Sequence, residues 1–297
     1  MLLALLLWAT AADPAVERLI DSAYAASPEF ASGTLLRILE NAWVRDRKRA
    51  IQLAETAFDL ASAAKRQVTC SLCGERPREA ALLLEANACA LDLDRTSLQQ
   101  RAVKILARLD PARSLEFSSR MPPPEQRQPQ CLSGSPAGTI SLDQLPKEPP
   151  TADLKRRWTT LMFGTAGRML PEEQRRTNEW KDQFDRLLRD AESLELPDDL
   201  SPAEQLDARA SLLGLLWWAA PSGPDQDRML IRFLETARRS KLERDDPVLW
   251  FSEVKSVLDS VLSADPTRRD AAFAALENSG SIVLSLYARL EKASASR

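Results

Sequence analysis

Apolar residues recur along the chain at intervals of three and four, and no stretch alternates strictly enough to compete as a strand. From Arg47 onward, Ile51, Ala54, Phe58 and Ala61 fall on one face of a long helix. Trp180, Phe184, Leu187, Leu188 and Ala191 keep the same rhythm. Trp250, Val254, Val257, Leu258, Val261 and Leu262 form a stripe that covers about a third of a helix circumference. The pattern predicts an all-α fold of stacked antiparallel helical hairpins, a short α-solenoid or an irregular helical bundle, with no β-sheet.

The boundaries of these helices are written in cap chemistry. Asp13-Pro14, Ser27-Pro28, Asp110-Pro111, Ser201-Pro202, Asp246-Pro247 and Asp265-Pro266 each put an N-cap residue directly before proline. The Asp or Ser oxygen can accept an orphan amide of the first turn, and proline at the first helical position lacks a donor that had no partner anyway. Ser201 with Glu204 predicts a capping box. Each pair also ends the preceding helix, because proline disfavours helical backbone in the residue before it.

Residues 118–150 break the rhythm. Pro122-Pro123-Pro124, Pro129, Pro136, Pro146 and Pro149-Pro150 crowd this stretch, with Gly134 and Gly138 between them. Its apolar residues show no period, which predicts an extended linker. The alternative reading, a proline-rich ligand for an aromatic groove, is set below that of a spacer. The linker separates an N-terminal helical half at 13–117 from a C-terminal half at 151–297.

Leu106-Ala107-Arg108-Leu109-Asp110-Pro111 and Val261-Leu262-Ser263-Ala264-Asp265-Pro266 share one corner: helix, Asp-Pro, helix. This corner resembles the helix ends of tetratricopeptide-type repeats, and the chain resembles exported helical proteins of acidobacterial type. The resemblance implies stacked helical hairpins. The Trp-Leu-Gly-Tyr helix and the roughly 34-residue period of the full repeat are absent. No activity or site residue is therefore carried over.

The first nine residues, Met1-Leu2-Leu3-Ala4-Leu5-Leu6-Leu7-Trp8-Ala9, are apolar and run into the small-x-small triplet Ala9-Thr10-Ala11. Residues 1–12 read as a secretory signal peptide cleaved near Ala11 or Ala12, although Lys and Arg are missing from its start. The alternative is that these leucines begin the first core helix. The expected location is the periplasm or the extracellular space, with no transmembrane segment once the signal is removed.

Composition removes several kinds of chemistry. The chain has no histidine, so Ser-His-Asp and Cys-His machinery, HExxH zinc sites and His-ligated haem are excluded. Its 9 glycines assemble no GxGxxG or GxxxxGK[ST] phosphate loop, and Gly164-Thr165-Ala166-Gly167 reads as a helix end. No cofactor is expected. Lys and Arg total 40 against 43 Asp and Glu, a net charge of −3, so the basic excess of a dedicated nucleic-acid binder is missing.

Four cysteines remain as candidate chemistry. Cys70-Ser71-Leu72-Cys73 lies in a turn-like segment before Gly74 and Pro77. With Cys89 and Cys131 it could supply four thiolates to zinc. Yet Cys89 would lie about 15 Å up the next helix, and a second CxxC is missing. A thioredoxin-like pair would need a βαβ context. Structural disulfides among Cys70, Cys73 and Cys131 fit an exported protein best, with Cys89 equally readable as a small buried hydrophobe.

Ser211-Leu212-Leu213-Gly214-Leu215-Leu216-Trp217-Trp218-Ala219-Ala220 is the most apolar internal run. It is too short to span a bilayer and predicts a central helix covered on all sides. Adjacent tryptophans point about 100° apart, so either Trp217 or Trp218 can line a groove as a partner anchor. Arg45-Asp46-Arg47-Lys48-Arg49 reads as a solvated face, and Glu172-Glu173, Asp198-Asp199 and Asp245-Asp246 read as helix-start acids. The expectation is an exported helical scaffold that binds a protein or peptide and is not an enzyme. Two alternatives stand beside it: a helical enzyme with a glycosidase-like carboxylate pair, and a zinc-stabilised cytosolic helical adaptor.

Overall fold

A computed structural model describes residues 13–66, 87–121, 151–163, 177–197, 200–220, 223–264 and 269–295. The signal-like segment, Cys70, Cys73, Cys131, Gly164, Gly167, the pairs Glu172-Glu173 and Asp198-Asp199, and Asp265-Pro266 lie outside them, as does nearly all of the proline-rich stretch. Among the described residues every regular element is an α-helix and there is no strand. The fold is all-α. No described helix is long and apolar enough to cross a membrane.

The helices are α1 (Pro14–Tyr24), α2 (Pro28–Glu40), α3 (Arg47–Ser62), α4 (Arg95–Leu109), α5 (Pro111–Ser119), α6 (Ala152–Phe163), α7 (Asn178–Glu192), α8 (Pro202–Ala219), α9 (Gly223–Arg239), α10 (Leu242–Asp245), α11 (Pro247–Ala264), α12 (Arg269–Glu277) and α13 (Ile282–Ala295). The Asp-Pro and Ser-Pro corners cap as their chemistry demands. Asp13 Oδ1 accepts from the Ala15 amide at 2.9 Å, and Asp246 Oδ1 accepts from the Leu249 amide at 3.0 Å. Asp110 Oδ1 accepts from the Ala112 and Arg113 amides, and Ser201 and Glu204 close a full capping box. Ser27 is the exception: its backbone is extended before α2, but its hydroxyl makes no cap bond. α5 ends at Ser119, so helix reaches two residues past the predicted start of the linker.

The chain divides into two compact units. In the first, each of α1 to α4 packs on its successor, and α2 also meets α4. Ala54, Phe58 and Ala61 turn into the core as their spacing predicts. Phe58 meets Phe117 edge-on, with ring centroids 5.0 Å apart. The Arg120 guanidinium lies 4.5 Å from the Phe117 centroid, a cation–π contact. Buried polar groups tie the helices across this core: Ser32 Oγ donates to the Ala57 carbonyl at 2.8 Å, and Glu29 Oε1 accepts from the Lys65 amide at 2.7 Å.

α13 belongs to this first unit, although it follows the residues of the second. It packs on α1 and adds Leu286 and Leu290 to the core formed by Val16, Leu19 and Ile20. Arg289 reaches the Ser22 hydroxyl at 2.9 Å, and Glu291 pairs with Arg37 at 2.7 Å. The reading of 151–297 as one half therefore differs from the contacts at its end. The reason is long-range packing, because an apolar face on the last helix does not announce which distant helix will cover it.

In the second unit α8 is central, packing on α6, α7, α9 and α11. This explains why its second half, from Ser211 onward, is apolar on nearly every side. Trp180, Phe184, Leu187, Leu188 and Ala191 form the buried face of α7. Trp250 of α11 is fully enclosed, and its Nε1 donates to the Ala237 carbonyl at the end of α9 at 2.9 Å.

Candidate functional site

α9 carries its buried face on Met229, Leu230, Phe233, Leu234 and Ala237. One side of the same helix borders α12 across an open groove of about 580 Å³. From α9 the groove is lined by Asp227, Leu230, Ile231, Leu234, Glu235 and Arg238, successive three- and four-residue steps along one face. From α12 come Ala271, Ala274 and Ala275, and Asn278 just past its end continues the same spacing. The groove exists because α12 turns its large side chains, Phe273 and Leu276, into the core and sets alanines towards α9. Small side chains opposite leucines leave a trough.

The trough is apolar at its base and charged at its ends. Leu230 and Leu234 form a buried floor, while Ile231 stands 48 % exposed, one of the most exposed large aliphatic side chains among the described residues. Arg238 Nη1 donates to the Ser279 carbonyl at 3.3 Å and closes one end. There the chain leaves α12 through Gly280, whose φ of 78° is a left-handed conformation that a β-carbon would strain. Asp227 stands about three turns away at the other end.

A second, smaller pocket of about 190 Å³ lies around α9 from the groove, between the end of α7, α8 and α9. Arg209, Arg232 and Arg239 line it with Glu192 and Glu235 over Ala191 and Leu212. Elsewhere in this unit, burial pushes the Asp207 carboxyl of α8 above the ordinary carboxylate range, with the Lys155 charge opposing. The capping box acts oppositely on Glu204: hydrogen bonds from the Ser201 hydroxyl and amide, at 2.7 and 2.9 Å, hold its carboxyl below that range.

The residues singled out in the sequence fall differently. Trp217 is buried at 4 % exposure, so its side chain is not a surface anchor. The side chain of Trp218 lies outside the described residues. Cys89 is half-buried and disulfide-bonded. It is therefore neither a free buried hydrophobe nor a zinc thiolate, since a bonded sulfur has no anionic lone pair to offer a metal. Among the described residues no three cysteine or carboxylate side chains gather as a metal site.

The basic run Arg45 to Arg49 is partly structural. Asp46 caps α3 by accepting from the Arg49 amide at 2.6 Å, and Arg47 donates to the Leu109 carbonyl at the end of α4. Arg49 pairs with Glu17 at 3.4 Å. Sequence reasoning missed the α9–α12 groove. Its signal was present as Ala271-Ala272-Phe273-Ala274-Ala275, where small residues flank a single large one. No protein family, curated protein or solved structure matches this chain.

Proposed function

We propose that this chain is an exported helical interaction protein, and that it holds a peptide segment of a partner in the groove between α9 and α12. The observation that carries the reading is the groove itself, with its leucine floor, alanine wall and the exposed Ile231. An apolar trough about three helical turns long suits a short segment presenting apolar side chains at three- and four-residue steps. Asp227 and Glu235 favour basic residues on one flank of that segment, and Arg238 favours an acidic residue near its end. Export is supported by the composition of residues 1–12 and by the disulfide at Cys89, a bond at home in an oxidising compartment.

The carboxylate-pair enzyme has one observation in its favour, the raised Asp207 carboxyl. The charged group acting on it is Lys155, whose attraction partly offsets burial. Burial is the leading cause and no second carboxylate acts on the group, so the interaction reading stands first.

Selection of a phage-displayed peptide library against the purified full chain tests it. Enriched peptides should carry spaced apolar residues, and Ala275→Arg, which fills the trough, should weaken their binding at least about tenfold. Failure to enrich any peptide, or peptides that bind Ala275→Arg unchanged, would sink the proposal.

A further inference from the structure

The geometry points to a second binding site: we propose that the pocket between α7, α8 and α9 takes a small oxyanion, a carboxylate or phosphate group, gripped by Arg209 and Arg239. Three guanidinium groups line the pocket against two carboxylates, leaving one positive charge in excess. Both carboxylates lean on the same cation. Arg232 Nε lies 3.4 Å from Glu192 Oε1, and its Nη1 lies 3.7 Å from Glu235 Oε2.

Arg232 is thereby compensated, and the other two cations are left facing the pocket. Arg209 is half-buried and gives one Nη2 donor to the Leu194 carbonyl at 3.3 Å, which leaves most of its five donors unused. Arg239 makes no ion pair or hydrogen bond among the described residues. The floor beneath them is Ala191 and Leu212, both buried. An apolar floor weakens solvent screening, so two guanidinium groups sharing one small space repel each other until an anion stands between them.

The guanidinium fork matches the spacing of carboxylate and phosphate oxygens and binds them through charge-assisted hydrogen bonds. A volume of about 190 Å³ admits a small group and no more. The Thr236 hydroxyl donates to the Arg232 carbonyl at 2.9 Å within its own helix, so it is held away from the ligand. The pocket and the apolar groove share Glu235 but open about 120° apart around α9. The oxyanion site therefore stands whether or not the groove binds a peptide.

Titration calorimetry of the full chain in a low-salt, phosphate-free buffer tests the site, with inorganic phosphate and acetate as separate probes. The expected result is saturable one-to-one binding of at least one probe, and the tighter probe identifies the oxyanion class. Arg239→Gln and Arg209→Gln should each weaken that binding about tenfold or more. Arg244→Gln, an exposed arginine outside the pocket, should leave it unchanged. Thermal melting of each variant shows that the fold is kept; Arg239 is exposed, so its substitution removes no core packing. Absence of saturable binding by both probes overturns the proposal. So does a folded Arg239→Gln protein that binds as tightly as the parent, or an equal loss in Arg244→Gln.

Discussion

Leu286→Ala asks whether the last helix belongs to the first unit. Leu286 is 2 % exposed in a core that otherwise comes from α1 to α5, with Leu290 one turn further along α13. Removing the side chain forfeits its transfer free energy, and the surrounding atoms close the cavity only in part. Buried Leu→Ala changes span about 2–5 kcal/mol. α13 packs chiefly on α1, so it can settle inward more easily than a helix enclosed on all sides. The lower part of that range applies, about 2–3 kcal/mol.

Hydrogen exchange read by mass spectrometry separates the units. Opening equilibria in α1, α2 and α13 should rise about 30- to 150-fold, since 1.4 kcal/mol is about tenfold. Peptides from α8 and α9 should keep their protection. Loss of protection across 202–239 with 14–40 unaffected would refute the assignment of α13. A change below about 0.5 kcal/mol would refute the burial argument.

Asp207 supplies a pH prediction whose sign follows from its raised carboxyl. The folded protein holds this proton to a higher pH than the unfolded chain, so stability from this group is complete below the unfolded-state value and falls as pH rises through the folded-state value. Asp207→Asn should remove that fall and be the more stable protein at neutral pH; urea unfolding midpoints that differ from the parent by the same amount in acid and at neutrality would show the reasoning wrong. Ala42 follows α2 with φ 53°, and the Trp43 amide donates back to the Ile38 carbonyl at 3.2 Å, a Schellman arrangement in which glycine is the unstrained residue. Ala42→Gly should relieve about 1–2 kcal/mol of left-handed strain and return about half of it through greater unfolded-chain entropy; thermal unfolding should show a net gain of about 0.5–1 kcal/mol, and a loss would contradict the account.

The fold was legible because its signals are local. A face such as Trp180, Phe184, Leu187, Leu188 and Ala191 declares its period within one helix, and all five residues are buried. Ser201 and Glu204 declare a capping box within four residues, and its hydrogen bonds form. Even the central place of α8 could be read, because its second half, from Ser211 onward, is apolar on every side and has to be surrounded. α13 shows where this stops. Leu286 and Leu290 reveal that a face will be buried, but the choice of α1 as its cover depends on closing a loop of more than 250 residues. No local pattern encodes that choice.

The candidate sites were hidden for a related reason. In sequence, Arg232, Glu235, Arg238 and Arg239 look like the solvated side of an amphipathic helix, with i,i+3 pairs such as Arg232 to Glu235. What changes their meaning is what packs beside them. α7 and α8 bring Glu192 and Arg209 to one flank of α9, which makes a charged surface into a pocket with a cation in excess. On the other flank α12 brings alanines, and Ile231 becomes the lip of a trough. Tryptophans and cysteines are the conspicuous residues of the sequence, yet Trp217 is in the core because a large apolar ring gains most from complete burial. The features left open to ligands are small or charged side chains, whose value lies in the space between helices. Among the described residues, the two flanks of α9 are where packing leaves such space.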